Sequence, residues 1–292
     1  MNWDDLRIFL AVARAGQILG AARRLGLNHA TVSRRVGALE QELGAKLFRR
    51  LTTGSELTTA GTRLLGVAER MEADMIAARA EVACDEEVSG TVRIGAPDGF
   101  GVTFLAPRLG ALTQQHPKLS IQLVPVPRSF SLSRREADIA ITVERPAEGR
   151  LVAGKLVDYS LGLYASRAYA EANGLPADRA ELAGCRLVGY VPDLVISPTL
   201  DYAGEFAPSW EAGFAISSAL GQVEAVRSGA GIGVLHAFIA RAYPELVPVA
   251  SIPPIRRAYW LVYHESVRPL RRVQTVASYI AAAVEKERAL FA

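Results

Sequence analysis

Cysteine is almost missing: Cys84 and Cys185 are the only two in 292 residues, and they stand far apart. Such a pair makes neither a disulfide framework nor a metal-ligand cluster, and it fits a reducing cytoplasm. The two read as small buried hydrophobes, with a redox pair as the alternative. No stretch approaches the ~18 uninterrupted apolar residues of a membrane span, so no membrane association is expected. The opening Met1-Asn2-Trp3-Asp4-Asp5 is acidic where a secretory leader is basic and then apolar, so no export is expected either. Histidine is scarce, with His29, His116, His236 and His264 falling one to a region. Gly-x-Ser-x-Gly and His-Glu-x-x-His are both absent. The glycine-rich Gly229-Ala230-Gly231-Ile232-Gly233 lacks the Lys-Ser/Thr of a P-loop and the Gly-x-Gly-x-x-Gly spacing. These absences predict a protein that is not an enzyme and holds no cofactor or metal.

What is present is ordinary in bulk and uneven in distribution. The chain is 50% hydrophobic and 22% charged, the profile of a globular protein with full cores, and 292 residues allow about two domains with a small extra module. The net charge of +3 is concentrated at one end. Residues 1–60 hold nine Lys/Arg against five acids, a surplus of four that leaves −1 for the remaining 232 residues. A polyanion partner is expected there, although a solvated helix face would give the same surplus.

Trp3, Leu6, Phe9, Leu10 and Ala13 recur on one face of a helix over 3–15, which Gly16 breaks. A short alanine-rich helix, 18–25, ends at Gly26. Asn28 is then a good N-cap for a third helix over 29–43. In that helix Val32, Val36, Leu39 and Leu43 form the expected buried stripe. Ala30 and Arg34 point away from it, with Thr31 and Ser33 on the flanks. Short helix, glycine turn and second helix with a slim, basic outer face make the helix-turn-helix pattern, and Ala30 is small enough to enter a major groove. Two short apolar stretches around Thr52-Thr53-Gly54-Ser55 read as a β-ribbon wing with Arg49 and Arg50 at its base.

Phe9…Ala21-Ala22-Arg23-Arg24-Leu25-Gly26-Leu27, Thr31-Val32-Ser33-Arg34-Arg35-Val36…Leu39-Glu40…Leu43-Gly44…Leu47-Phe48-Arg49-Arg50 and Leu57-Thr58…Ala60-Gly61…Leu64-Leu65 resemble the N-terminus of LysR-type transcriptional regulators. The chain departs from the family at the DNA side, with Asn28-His29-Ala30 entering the recognition helix and Gln17-Ile18-Leu19 opening the second helix. Arg34 is the first candidate for reading a base edge, since arginine can take both acceptors of a guanine; a phosphate contact is the alternative. His29, Ala30 and Thr31 are the other base-edge candidates, beside Asn28. Gln17, Ser33, Arg35, Arg49, Arg50, Thr52 and Thr53 read as phosphate contacts. Glu40 and Glu42 read as solvent-facing or intramolecular partners.

From Thr59 to about Glu87 no proline occurs, and Leu64, Ala68, Met71, Met75, Ala78 and Val82 step by four and three. A helix this long and one-sided needs a partner; packing on the chain's own domains is one possibility. The resemblance implies a linker helix through which subunits dimerise, and a twofold protein demands a near-palindromic operator.

Asp85-Glu86-Glu87-Val88-Ser89-Gly90 marks a boundary, and β-rich runs alternating with helices follow. Strands are expected at 91–95, 120–126, 137–143 and 151–165, with a helix at 103–115. A second lobe opens with a helix at 167–173 and has strands at 186–191, 214–217 and 233–235 and a helix at 221–229. A strand at 258–263 and a helix at 267–288 close the chain. The βαβ order predicts parallel sheets. Gly90-Thr91-Val92-Arg93-Ile94-Gly95, Asp138-Ile139-Ala140-Ile141, Glu224-Ala225-Val226-Arg227-Ser228-Gly229 and Tyr259-Trp260-Leu261-Val262-Tyr263 extend the resemblance over nearly the whole chain. It implies an α + α/β architecture. A winged helix-turn-helix (1–58) and a linker helix (59–87) precede a two-lobed α/β effector domain (90–292) like type 2 periplasmic binding proteins. Lobe 1 is about 90–163 with 265–292, and lobe 2 about 164–264.

Parallel α/β lobes bind ligands at the carboxyl ends of their strands. The stretch Pro97-Asp98-Gly99-Phe100-Gly101 reads as a loop before a helix, with Thr103 adding a hydroxyl near its N-terminus. Arg128-Ser129-Phe130-Ser131 would face it. By resemblance these segments hold the effector, commonly a small carboxylate or aromatic acid. Asp98 stands where the family often has serine, which turns the expectation toward a cationic or neutral polar effector, unless it is only a surface residue. Tyr190, Ile196, Ser217 and His236 are the second-lobe candidates. The function implied is a cytoplasmic, homodimeric or homotetrameric regulator, with double-stranded DNA, a small effector and RNA polymerase as partners. Its alternative is a constitutive regulator with a vestigial pocket.

Overall fold

The computed structural model describes residues 2–51, 54–82, 87–126, 132, 136–146, 150–194, 201–208 and 210–292. Helices α1 (Trp3–Ala15), α2 (Ile18–Leu25) and α3 (His29–Leu43) and the strands β1 (Phe48–Leu51) and β2 (Gly54–Leu57) form an N-terminal head. The helix limits are those expected, because their ends carry chemical signals. Asn2 Oδ1 accepts the Asp4 N–H at 3.0 Å and Asn28 Oδ1 accepts the Thr31 N–H at 2.7 Å. Two apolar layers hold the head together. Leu6, Phe9 and Leu10 pack with Leu39 and Leu47, while Ile8 and Val12 pack with Ala21, Ala22, Val32 and Val36. Each large side chain so buried contributes roughly 1.5–3 kcal/mol.

Leu43, expected in the buried stripe, is 40% exposed. The inward position in that turn belongs to Glu40, because the base of the ribbon needs an acceptor more than it needs another methyl group. The ribbon is antiparallel, pairing Phe48 with Leu57 and Leu51 with Gly54. It leans on the α1–α2 turn through a hydrogen bond of 2.7 Å from Ser55 N to Gly16 O. Gly54 has φ +150°, and a Cβ there would lie 2.5 Å from the Gly16 oxygen, so only glycine permits this approach.

Helix α4 (Thr59–Val82) follows. Its first half belongs to the head: Ala68 is fully buried, and Leu64 and Leu65 pack on the same cluster as Leu6 and Phe9. Two of the six residues expected along a dimer seam, Leu64 and Ala68, are therefore engaged within the chain. Met71, Met75 and Ala78 are exposed. Val82 has its side chain outside the described residues.

The rest of the chain comprises β3 (Gly90–Ala96), α5 (Asp98–Phe100), a π-helical turn (Gly101–Leu105), α6 (Ala106–Gln115), β4 (Leu119–Pro125), β5 (Ile139–Thr142), β6 (Leu151–Ser166), α7 (Arg167–Asn173), β7 (Leu187–Gly189), α8 (Tyr202–Phe206), β8 (Ala212–Ala215), α9 (Ala219–Arg227), β9 (Ile232–His236), α10 (Ala237–Ala240), β10 (Leu246–Pro248), β11 (Ile255–His264) and α11 (Arg271–Lys286). The strands run β4-β3-β5-β11-β6-β9-β7-β8, with β10 also on β6. Pairing is parallel within each half: β3 with β4 and β5, and β7 with β8 and β9. The long strands β6 and β11 run antiparallel through the middle and belong to both halves. Their register shifts between Tyr259 and Trp260, a bulge at the crossing.

Three differences from expectation have local causes. The segment 97–101 is not a loop, because a helix begins at Asp98 and runs on through the π turn. The last helix starts at Arg271, after a 3-10 turn at Glu265–Val267 and Pro269. The short elements α8, α10 and β10 hold five, four and three residues, too few to show a period.

Candidate functional site

The outer face of α3 carries Asn28, His29, Ala30 and Arg34 exposed, with Thr31 and Ser33 half-buried, while Val32, Val36 and Leu39 face inward. Asn28 is engaged as the helix cap. Gln17, exposed at the start of α2, makes no capping bond with its side chain. The side chain of Arg50, and Thr52 and Thr53, lie outside the described residues.

Two of the expected phosphate contacts are held by acids. Arg35 donates to Asp5 at 2.7 Å and to Asp4 at 2.6 Å, tying α3 to the start of α1. The acidic opening of the chain, read only as an argument against export, supplies this fork. Arg49 pairs across the ribbon with Glu56, Nε to Oε2 at 3.1 Å, and stays exposed. Of the two arginines of α3, Arg34 is the one with no such clamp among the described residues.

Glu40 fixes the ribbon to α3. Its carboxylate accepts Leu47 N–H at 2.9 Å, Phe48 N–H at 3.3 Å and the Lys46 ammonium at 2.7 Å. Burial alone would raise its pKa, but Lys46 and the two backbone amides outweigh it and hold the carboxyl below its ordinary value. A folded pKa below the unfolded one adds stability above the unfolded pKa, and this is lost as pH falls through the folded value. Glu40→Ala is expected to destabilise the head by ~1–3 kcal/mol, since the Leu47 amide loses its acceptor. Denaturant melts at neutral pH and at pH 3 check this. A wild-type to variant difference that fails to shrink in acid would show that the charge is irrelevant.

At the junction of the lobes, Asp98 is 8% exposed. Its Oδ2 accepts the Ser218 hydroxyl at 2.6 Å and the Leu220 N–H at 3.4 Å. A carboxylate from the first lobe thus sits on the N-terminus of α9 in the second, where the helix dipole favours negative charge. Ser218 also caps α9 through Gly221 N–H at 3.1 Å. Ser217, the residue expected here, is half-buried one position away. Ser218 was missed because the helix was begun two residues late; the signal was a serine just before Ala219.

Around this latch lie buried aromatics. Tyr159 stacks on Tyr259 at 4.1 Å and on His236 at 5.3 Å, and its hydroxyl is 3.4 Å from that of Tyr202. Burial pushes the His236 imidazole down to about 4 against the pull of Asp98, so it is neutral near pH 7. Burial, then Tyr202 and Asp98, push the Tyr190 phenol up. Phe100 is fully buried against Phe104, Tyr259 and Phe291, and is core instead of pocket. Gly99 is buried too, and the Thr103 hydroxyl donates to its carbonyl, so Thr103 supplies no ligand donor at a helix start. Residues 128–131 and Ile196 lie outside the described residues. Cys185 is half-buried with burial raising its thiol, and Cys84 lies outside the described residues.

A winged helix-turn-helix with one slim outward face, joined by a long helix to a two-lobed α/β domain, defines a DNA-binding regulator with a sensor domain. The comparisons specify which. Residues 3–62 match the family model "Bacterial regulatory helix-turn-helix protein, lysR family", and residues 85–285 match "LysR substrate binding domain". An HTH-type transcriptional regulator of Xanthomonas campestris pv. campestris is 33% identical over 180 residues, 61% of this chain and 52% of that one, so the alignment spans about half of that relative. The HTH-type transcriptional regulator PtxR of Pseudomonas aeruginosa is 30% identical over 246 residues, 82% of this chain and 78% of that one. The solved structure of CrgA, a LysR-type transcriptional regulator from Neisseria meningitidis, is 25% identical with a TM-score of 0.59, covering 98% and 99% of the two chains. The chain belongs to the LysR family of transcriptional regulators. It is a DNA-binding regulator, not an enzyme, and no described helix is long and apolar enough to cross a membrane.

Proposed function

We propose that the chain is a cytoplasmic homodimer or homotetramer whose operator binding or bending is switched by a small effector held between the lobes. The residues 1–58 form the reading head, 59–87 the linker and 90–292 the effector domain. Base edges are read by His29, Ala30, Thr31 and Arg34, while Gln17, Ser33, Arg49, Arg50, Thr52 and Thr53 position the head on phosphates. Met71, Met75 and Ala78 are the remaining seam for a second copy, which sets a near-palindromic operator. RNA polymerase is the partner through which a bound regulator acts on transcription.

The observation that carries the switch is the Asp98–Ser218 contact, a polar bridge between lobes that a ligand can replace. An effector shifts the equilibrium only by its different affinity for the two lobe arrangements, and ~1–3 kcal/mol of coupling changes occupancy five- to 150-fold. With the acidic side chain of Asp98 at the junction and no charge on His236 to offset it, the junction favours a neutral polar or cationic effector over an acid. The test is footprinting of the purified protein on its source DNA with and without a metabolite extract. Footprints that change with extract support the switch. The same latch also favours a second reading, a constitutive regulator whose own carboxylate closes the cleft, and unchanged footprints would support that one.

Asp98→Asn separates a latch from a simple helix cap. Loss of the charge weakens both bonds, so amide exchange at the start of α9 is expected to rise about tenfold or more, given ~1.5–3 kcal/mol for hydrogen bonds to a charged group. The variant's footprint should shift as well. If neither changes, Asp98 is not holding the lobes.

A further inference from the structure

The second lobe contains a cavity of about 660 Å³ between β7, β8 and the segment around α8. Its size is that of a small-molecule site. Three aromatic residues wall it: Tyr190, Tyr202 and Trp210, the last two 5% exposed. Tyr190 and Tyr202 meet edge to face with ring centres 6.4 Å apart, and the Trp210 indole N–H is fixed on the Cys185 carbonyl at 2.8 Å. Gln222, 2% exposed, also lines the cavity; one N–H of its amide donates to the Ile216 carbonyl at 3.1 Å, which leaves the amide oxygen and the second N–H to offer. The exposed carboxylates of Asp201 and Glu211 complete the lining at its rim.

The charge of this cavity is one-sided. Its charged lining groups are the two carboxylates, while its phenols and the Gln222 amide can donate as well as accept and its indole N–H is already taken. Among the described lining residues none is lysine, arginine or histidine. An anionic ligand would find no countercharge there and would face two carboxylates. A cation with an apolar body would have the opposite experience: aromatic faces attract cations through their quadrupoles, and the acceptors satisfy its N–H groups.

We propose that the second lobe carries a ligand site of its own for a small organic cation, an amine or guanidine with an aromatic or aliphatic body. This goes beyond the effector switch, since occupancy of the cavity requires neither lobe movement nor DNA. Tyr190 is the residue that the cavity shares with the lobe junction. Its ring places an occupant next to the latch.

Calorimetric titration of the full-length protein with phenethylammonium tests the site, with 3-phenylpropionate as the probe of similar body and opposite charge. Phenethylammonium should bind saturably at one per chain, at the weak affinity of so small a ligand. 3-Phenylpropionate should bind at least tenfold less tightly. Glu211 is exposed, so its replacement leaves the fold intact. Glu211→Gln should weaken phenethylammonium about fivefold, the upper range for a partly screened ion pair, and Glu211→Lys at least tenfold. Absence of saturable binding overturns the proposal. So does equal or tighter binding of 3-phenylpropionate, or an affinity unchanged in Glu211→Lys. Binding of phenethylammonium with footprints that no effector alters would overturn the switch and leave this site standing.

Discussion

Arg34→Ala is expected to lower affinity for the operator by about five- to 150-fold while leaving affinity for unrelated DNA nearly unchanged. Arg34 lies one turn along α3, exposed, on the side opposite Val32 and Val36. A guanidinium placed there can take both major-groove acceptors of a guanine, worth ~1–3 kcal/mol of discrimination. Its neighbour Arg35 is the internal control, because its fork is closed on Asp4 and Asp5. Arg35→Ala should lower the melting temperature of the head and should not relax base preference. Parallel titrations of operator and scrambled duplexes at two salt concentrations decide the matter. Equal losses on both duplexes, with a salt slope reduced by about one, would make Arg34 a phosphate contact instead.

Phe100→Ala is expected to destabilise the effector domain by ~3–5 kcal/mol, the range for deleting a buried phenyl ring from a packed core. The ring lies 4.5 Å from Tyr259, 5.1 Å from Phe104 and 6.0 Å from Phe291, and none of its surface is exposed. A residue that served the ligand pocket would behave differently on truncation, lowering affinity with little change in stability. Differential scanning calorimetry of the full chain resolves the two outcomes. A melting temperature within a degree or two of wild type would return Phe100 to the pocket.

That residue shows where the sequence was legible and where it was not. The head was readable because its helices end on side-chain caps and glycines and bury stripes at a clean helical period, so α1, α2 and α3 carry their own limits. In the effector domain the strands were found, but their ends drifted. The loop expected at 97–101 became a helix, since Pro97-Asp98-Gly99 reads as a turn until its carboxylate is seen to face another helix. The pairing of Asp98 with Ser218 joins residues 120 positions apart, and no local pattern announces it. Arg35 and Arg49 show another limit. Basic residues near a recognition helix read as phosphate contacts, and the acids that hold them, in α1 and β2, are named by no local pattern. Leu64 and Ala68 share this history: a heptad period says that a face is buried and is silent about which neighbour buries it.

The helix α4 is anchored at both of its neighbours. Near its middle, Glu72 forks onto Arg14 of the head at 2.6 and 3.1 Å, and Glu69 faces His264 at the end of β11 at 4.0 Å. The head and the first half of α4 therefore form one packed body, which meets the effector domain at Glu69. At 1.5 Å per residue the stretch of α4 from Glu69 back to Thr59 is an arm of about 15 Å. A tilt of ~10° about Glu69 would move the start of the helix by about 2.6 Å, a little under one base-pair step of duplex DNA. Any change in how Glu69 meets His264 would therefore reach the head as a displacement of the helix itself, since head and helix share one packed core.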